Sequence, residues 1–147
     1  MYSVPLVSVI LVTWNSGVYL PSCLSALAAQ SLSDFEVIVI DNKSTDDSVL
    51  QAEKGWPELH LIIQYLNANL GFAIANNLGV HLAHGKWIAL LNADAFPEPD
   101  WLEKLLNAAE QNPQYSMFSS RQIQYNLPDY LDGAGDAYHV SGLAWRN

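Results

Sequence analysis

The chain has 147 residues, a length typical of one domain, and half of its residues are hydrophobic while 14% are charged. This composition is that of a folded globular protein and excludes a disordered segment. Fifteen acidic residues against six basic ones give a net charge of −9, which excludes the broad positive field of nucleic-acid-binding proteins. We therefore expect no nucleic-acid partner, and an anionic ligand would need a metal ion or backbone N–H donors.

Cysteine use and the N-terminal residues bear on the compartment. Cys23 is the only cysteine, so no intrachain disulfide can form, and its place in a helical apolar pattern predicts packing in the core. The apolar stretch 4–12 is about half of the roughly 20 residues that a membrane-spanning helix needs, and the positive residues of a signal peptide are missing. We therefore expect a cytoplasmic protein, in the cytosol or at the inner face of the membrane.

Strand and helix signals alternate from the first residues, which predicts an α/β fold: a layered sheet of mainly parallel strands, flanked by helices, in one domain over residues 1–147. Apolar runs rich in β-branched residues predict four strands, at 6–13, 35–40, 59–65 and 87–91. Amphipathic segments predict four intervening or following helices, at 18–30, 44–55, 72–84 and 100–112.

Some boundaries are predicted from capping residues and turn formers. Ser44 is expected to cap the second helix, with acidic residues in its first turn, and Gly85 is expected to end the third helix. From residue 115 onward the pattern is less regular, and it predicts a strand followed by a binding or connecting loop at 132–142.

Polar residues follow each of the four predicted strands, at the edge where open parallel sheets bind ligands. Each alone is a common turn former or helix cap, so no single position identifies a site. Together they include carboxylates that can accept hydrogen bonds from a ribose or base, or hold a hard cation. Since a magnesium site can use one carboxylate beside phosphate and water oxygens, Asp94 is sufficient. The set is Thr13, Asn15, Asp41, Asn42, Ser44, Asn67, Asn69, Asn92 and Asp94.

Four segments resemble, in order and spacing, the nucleotide-sugar-binding half of family 2 glycosyltransferases, which have the GT-A fold. They are VSVILVTWN at 7–15, DNKSTD at 41–46, NLGFA at 69–73 with Asn76, and LLNADAFPEPDW at 90–101. A later segment, 132–146, is similar to bacterial members often described as rhamnosyltransferases. The resemblance implies an inverting transfer of a sugar from a nucleoside-diphosphate sugar, dTDP-rhamnose or a UDP-sugar, to a saccharide or lipid-linked acceptor.

The resemblance also implies a nucleotide site and a metal site. At the family's Asp-X-Asp position, Asn92 would meet the ribose or the metal, and Asp94 would ligate a divalent Mg²⁺ or Mn²⁺. Asp41 would accept a hydrogen bond from the base, Trp14 could stack on it, and Asp46 would help to shape the loop. The other nucleotide-binding residues implied by the resemblance are Thr13, Asn15, Ser44, Asn69, Gly71 and Asn76.

Two departures from the family pattern bear on the chemistry. Asn92 stands where an aspartate is usual, which removes one negative charge but keeps a carbonyl oxygen for a hydroxyl or a cation. The family's catalytic aspartate belongs to an acceptor-binding half, so the base is expected beyond Asn147 and no catalytic residue is assigned. An apolar flank over residues 115–147 would then be exposed, which favours a homo-oligomer.

Other nucleotide-binding classes lack their motifs here. The first strand is followed by TWNSGVYL, without the G-x-G-x-x-G of a Rossmann dehydrogenase, and no P-loop motif occurs. Residues 14–20 contain one glycine and no basic residue, unlike the loop of a nucleotidylyltransferase. The histidines at 60, 81, 84 and 139 lack metal-ligand spacing, which predicts surface or packing roles. The alternative that stays open is a nucleotide-binding module without turnover.

Overall fold

The computed structural model describes residues 4–132, 136–138 and 144–146. Its contacts divide the chain into two compact units, Met1–Lys104 and Leu105–Asn147, and each is described by itself. Within the described ranges, no helix is long and apolar enough to cross a membrane. The assignment of residues 1–147 to one glycosyltransferase domain stays a prediction.

The first unit contains a four-stranded parallel sheet. Its strands are β1 (Val7–Thr13), β2 (Phe35–Asp41), β3 (Leu61–Tyr65) and β4 (Trp87–Asn92), in the order β3-β2-β1-β4. The helices are α1 (Leu20–Ala28), α2 (Ser48–Gly55) and α3 (Phe72–Leu82), and α4 (Trp101–Gln111) begins in this unit. The alternation of strand and helix and the parallel pairing confirm the predicted α/β fold class.

The two central strands carry the core, as their continuous apolar runs predict. Except for Val12 and Phe35, which are half-buried, every residue of β1 and β2 is buried. The register sets Thr13 beside Asp41, and Val12 beside Asn92 of β4. The carboxyl ends of β1, β2 and β4 are therefore level, and the residues that follow them meet at one edge.

Helix α3 lies directly on the sheet because its contact residues are small. Ala75 packs in a cluster with Ile10, Ile38 and Ile40. A methyl group added at Gly79 would overlap the Ile10 side chain, so only glycine allows this approach. This packing fixes where the first turn of α3 stands at the carboxyl edge.

Helix α1 is two residues shorter at each end than predicted. Two other predicted helix boundaries are wrong because a contact with another strand or loop competes with the helix. Helix α2 begins at Ser48, four residues after the predicted cap, because the Ser44 hydroxyl instead accepts the Asn15 N–H. Helix α3 ends at Leu82, before the predicted stop, because the N–H groups of His84 and Gly85 donate to Glu36 and Ser8.

The amino-terminal edge of the sheet holds a buried carboxylate, that of Glu36 on β2. It accepts hydrogen bonds from the Ser8 hydroxyl and from the His84 N–H at 2.7 Å, and the His84 Nδ1 lies 3.3 Å away. Burial raises the pKa of Glu36, but the hydrogen bonds from Ser8 and His84 outweigh it and lower this pKa below its ordinary value. The carboxylate therefore joins β1, β2 and the α3–β4 connection.

The second unit contains the rest of α4 and two short antiparallel pairs. Strand β5 (Ile123–Gln124) pairs with β6 (Leu127–Leu131), and β7 (Asp136–Tyr138) pairs with β8 (Ala144–Arg146). The predicted strand and loop are thus partly replaced by hairpin-like pairs, while residues 133–135 and 139–143 of the loop lie outside the described residues. Large apolar side chains of this unit are exposed, among them Tyr115, Met117, Leu127, Tyr130 and Leu131.

Candidate functional site

A cavity of about 370 Å³ lies at the carboxyl edge of the sheet, within the first unit. The ends of β1 and β4, the turn after each, and the start of α3 form its walls. This is the position where open parallel sheets bind ligands. The lining residues are Val12, Trp14, Asn15, Ser16, Tyr19, Phe72, Asn92, Ala93 and Asp94.

The polar side of the cavity is the turn after β4. Asn92 ends the strand, its carbonyl accepts the Ala95 N–H at 3.1 Å, and Asp94 lies inside the resulting turn. Asn92 and Asp94 are exposed, whereas Ala93 between them is buried. The turn therefore presents one amide and one carboxylate at the cavity and anchors itself through a small apolar residue.

Cys23 of α1 lies beneath this turn. Its Sγ is 3.7 Å from the Asn92 carbonyl oxygen, and its side chain is buried. Burial, and secondarily the negative charge of Asp94, raise the pKa of the Cys23 thiol to about 12. The thiol stays protonated at neutral pH, which agrees with the predicted packing role.

Three aromatic side chains form much of the rest of the lining. Trp14, Tyr19 and Phe72 are 56%, 50% and 57% exposed, although each could bury a large apolar area. Rings exposed around one cavity are typical of a ligand site, because an organic ligand covers them when bound. Trp14 belongs to the predicted site, whereas the sequence interpretation missed Tyr19 and Phe72.

The loops after β2 and β3 are held together by Asn42. Its Nδ2 donates to Asn69 Oδ1 at 2.9 Å, and its Oδ1 accepts the Leu70 N–H at 2.8 Å. Asn69 Oδ1 also accepts the N–H of Gly71, whose φ of 82° favours glycine. These contacts set the first turn of α3, where Phe72 enters the cavity wall.

The predicted site residues fall into two groups in the structure. Asn15, Asn92 and Asp94 line the cavity together with Trp14, whereas most of the others support its loops or lie buried beside it. Asp41 is buried at the end of β2, and its Oδ1 accepts the Ser44 N–H at 3.0 Å. Asn76 is also buried and donates to the Phe72 carbonyl at 3.0 Å. The buried Thr13 hydroxyl has no hydrogen-bond partner within the described structure.

The donor atoms at the cavity are those that a hard divalent cation prefers. Asp94 offers a carboxylate and Asn92 an amide oxygen, and both side chains reach solvent. In the described part of the chain, no group of three or more His, Cys, Asp or Glu side chains could hold a metal ion. The residues fit Mg²⁺ or Mn²⁺ only where a ligand's phosphate oxygens and water complete the shell.

Curated relatives match across much or all of this chain. A Haemophilus influenzae protein described as an uncharacterized glycosyltransferase is 32% identical over the whole chain, which covers 45% of that relative. A Mycobacterium tuberculosis PGL/p-HBAD biosynthesis glycosyltransferase is 37% identical over 61% of the chain, and 36% of that protein is covered. The chain therefore spans less than half the length of these relatives.

Solved structures of similar fold contain nucleotide ligands. S. aureus TarS in complex with UDP has a TM-score of 0.69 and 28% identity, over 73% of this chain and 32% of that chain. The mannosyltransferase PcManGT of Pyrobaculum calidifontis, in complex with GDP-Man and Mn²⁺, has a TM-score of 0.64 and 28% identity, over 74% and 32%. These similarities show that the parallel sheet has the GT-A arrangement.

The family comparison covers both the sheet and the cavity. The family described as Glycosyl transferase family 2 matches residues 8–134, a range that begins in β1 and includes every residue of the cavity lining. The chain belongs to glycosyl transferase family 2.

Proposed function

We propose that this chain forms the donor site of a glycosyltransferase that moves a sugar from a nucleoside-diphosphate sugar to a saccharide or lipid-linked acceptor, with inversion. The observation that carries the proposal is the cavity at the carboxyl edge, which Asn92 and Asp94 line together with three exposed aromatic rings. Polar groups and rings around one cavity suit a ligand with a charged diphosphate and flat or apolar parts.

A divalent metal ion is part of this proposal because the cavity is poor in positive charge. No Lys, Arg or His belongs to its described lining, and Asp94 adds a negative charge. A diphosphate would be repelled there unless a cation stood between it and Asp94. When bound, Mg²⁺ or Mn²⁺ would neutralise the diphosphate as it leaves. Asp94 is proposed as the principal protein ligand, and Asn92 as a partner of the ribose or the metal.

The nucleobase of the donor is proposed to lie between Trp14 and the end of β2. Asp41 Oδ1 already accepts the Ser44 N–H, so the second carboxylate oxygen is the one proposed to accept an imide N–H. Trp14 offers an exposed ring face for stacking at the cavity. The carboxylate acceptor favours uracil or thymine, while stacking on Trp14 suits any base, so the proposed donor is dTDP-rhamnose or a UDP-sugar.

Placement and partners complete the proposal. The enzyme would act in the cytoplasm, or at the inner face of the membrane where lipid-linked acceptors are found. The exposed apolar side chains of the second unit, such as Met117 and Tyr130, are proposed to be covered by another part of a longer protein or by a second copy.

Calorimetry with UDP or dTDP in the presence of Mn²⁺ tests the metal role of Asp94. Asp94→Ala should abolish the metal-dependent part of binding, and Asp94→Asn should weaken it by about tenfold or more, because a charge-assisted ligand is lost. Asp34→Asn is the matched control, since Asp34 is an exposed carboxylate that precedes β2 at the opposite edge. Equal affinity in the wild type and both Asp94 variants would reject the assignment.

A nucleotide-binding module without turnover is the second candidate. It is favoured by one observation: Asp94 is the only carboxylate in the described lining, so the cavity offers no separate general base. Both candidates predict binding of a nucleotide sugar by this chain, and only an assay of sugar transfer by a protein that also contains an acceptor-binding half distinguishes them.

A further inference from the structure

Hydrogen bonds join the turn after β1, residues 14–17, to the loop after β2. The Asn15 N–H donates to Ser44 Oγ at 2.9 Å. Asn15 Oδ1 accepts from the Thr45 N–H at 2.7 Å and from the Thr45 hydroxyl at 3.2 Å. The Gly17 N–H donates to Asp46 Oδ2 at 3.0 Å. Asn15, which lines the cavity, is thus bonded to the loop after β2.

Asp46 is the charged member of this set and serves two elements at once. Its Oδ2 accepts the Gly17 N–H, while its Oδ1 accepts the Ser48 hydroxyl and N–H at the start of α2. The hydrogen bond from the Ser48 hydroxyl, helped by that from Gly17, lowers the pKa of Asp46 below its ordinary value. The carboxylate is therefore ionised at neutral pH and keeps its full strength as an acceptor.

The backbone of the turn depends on these contacts. Asn15 has a φ of 51°, in the left-handed region that asparagine adopts more readily than most non-glycine residues, and its bonds to Ser44 and Thr45 hold it there. A Cβ atom on Gly17 would lie 2.9 Å from Asp46 Oδ2, so a larger residue there would displace the Asp46 carboxylate. Trp14 is the first residue of this turn and lines the cavity.

We propose that Asp46 is a positioning residue for the candidate site, which holds the turn 14–17 and thereby sets the Trp14 ring at the cavity. The proposal rests on the proposed function in that the ring is taken to contact a bound nucleotide. Asp46 itself is not among the residues that line the cavity.

The first test needs no ligand. The Trp14 indole N–H resonance of the 147-residue chain is assigned by its absence in Trp14→Phe, and it is then followed in Asp46→Ala. We expect that resonance to shift or broaden and the Gly17 amide to exchange faster with solvent, while the Trp87 indole resonance stays in place. An unchanged Trp14 resonance with unchanged Gly17 exchange would overturn the proposal.

The second test measures UDP affinity with Mn²⁺ and separates positioning from helix capping. Asp46→Ala should weaken binding by about tenfold, and Asp46→Asn, which keeps an acceptor oxygen, should restore part of the loss. Ser48→Ala removes a bond to the same carboxylate at α2 but leaves Gly17 bonded, so it should lower the Tm with little change in affinity. Asp47→Ala controls for charge, since Asp47 is exposed and adjacent.

The Trp14→Ala background decides whether the effect passes through the ring. There, Asp46→Ala should add less than about twofold, because the group that it positions is already gone. An undiminished effect in that background, or an equal affinity loss in Ser48→Ala, would refute the positioning role. If the wild type binds neither UDP nor dTDP with Mn²⁺, the proposed function fails, while the indole and amide measurements still decide whether Asp46 positions Trp14.

Discussion

At the scale of single residues, Asp41 is the clearest test of what the site recognises. It is buried at the end of β2, where its Oδ1 accepts the Ser44 N–H. An ionised carboxylate accepts but does not donate, so it suits the imide N–H of uracil or thymine, whereas the ring N1 of adenine is an acceptor that it would repel. We expect UDP and dTDP to bind more tightly than ADP in competition, whereas GDP, whose guanine also carries a ring N–H, tests the size of the base site.

Substitution of Asp41 sharpens that expectation. Asp41→Asn can keep the Ser44 contact through its amide oxygen but sets an NH₂ donor against the imide, so UDP affinity should fall about tenfold or more. ADP affinity should not fall, because the asparagine NH₂ can donate to the ring N1 of adenine. Competition calorimetry gives both values, and an ADP preference in the wild type would count against the role.

The same residues show what the sequence could indicate about the site. Asn92 and Asp94 were predictable because they lie at and just after the end of a strand, at a ligand-binding edge. Phe72 and Tyr19 were not, because an apolar residue in an amphipathic helix start is expected in the core and exposure is not written in the pattern. The role of Asn42 in joining two loops was not predictable either, since its partners Asn69 and Leu70 lie 27 and 28 residues away in the sequence.

At the scale of elements, the buried Glu36 predicts how the sheet responds to acid. Its carboxylate joins β1, β2 and the α3–β4 connection through Ser8 and His84. Because its pKa in the fold lies below the ordinary 4.5, its stabilisation is fully present above that pH and is lost as pH falls through the folded pKa. Urea unfolding of wild type and Glu36→Gln should therefore differ most near neutral pH and converge in acid.

The expected difference at neutral pH is about 1–3 kcal/mol of unfolding free energy, because glutamine leaves a donor facing the Ser8 hydroxyl or the His84 N–H. His84 is the titratable group that faces Glu36, and its ring is largely exposed, so His84→Ala serves to separate the ring's contribution from that of the backbone N–H. If the unfolding free energies of the wild type and Glu36→Gln fell in parallel from neutral pH into acid, Glu36 would not contribute as described.

The elements also show where prediction from the sequence reaches its limit. All four parallel strands and four helices were predictable, because β1 and β2 are continuous apolar runs and the helices are amphipathic. The start of α2 and the end of α3 were not, since Ser44 and Gly85, the predicted cap and stop, bond instead to Asn15 and Ser8, and the His84 N–H donates to Glu36. A tertiary hydrogen bond can override a local capping signal because both compete for the same backbone N–H or hydroxyl group.

At the scale of the whole molecule, net charge and site chemistry have to be reconciled. A chain with a net charge of −9 does not attract a nucleoside-diphosphate sugar by its overall field. Binding then depends on local terms, namely the proposed cation at Asp94 and the exposed rings around the cavity. Affinity should consequently depend on the divalent metal ion far more than on ionic strength.

The residues that line the cavity also predict that the 147-residue chain binds a nucleotide sugar but transfers the sugar poorly. Asp94 is the only carboxylate in the described lining, and a metal ligand is not available as the base that deprotonates an acceptor hydroxyl. Loss of general-base catalysis typically costs about 10²- to 10⁴-fold, and loss of acceptor positioning costs more. The assay incubates the purified chain and Mn²⁺ with radiolabelled dTDP-rhamnose or UDP-glucose and a panel of saccharide and lipid-linked acceptors. A full-length family member with known activity serves as the positive control. Rapid product formation by this chain would contradict the prediction and would place the base among its own residues.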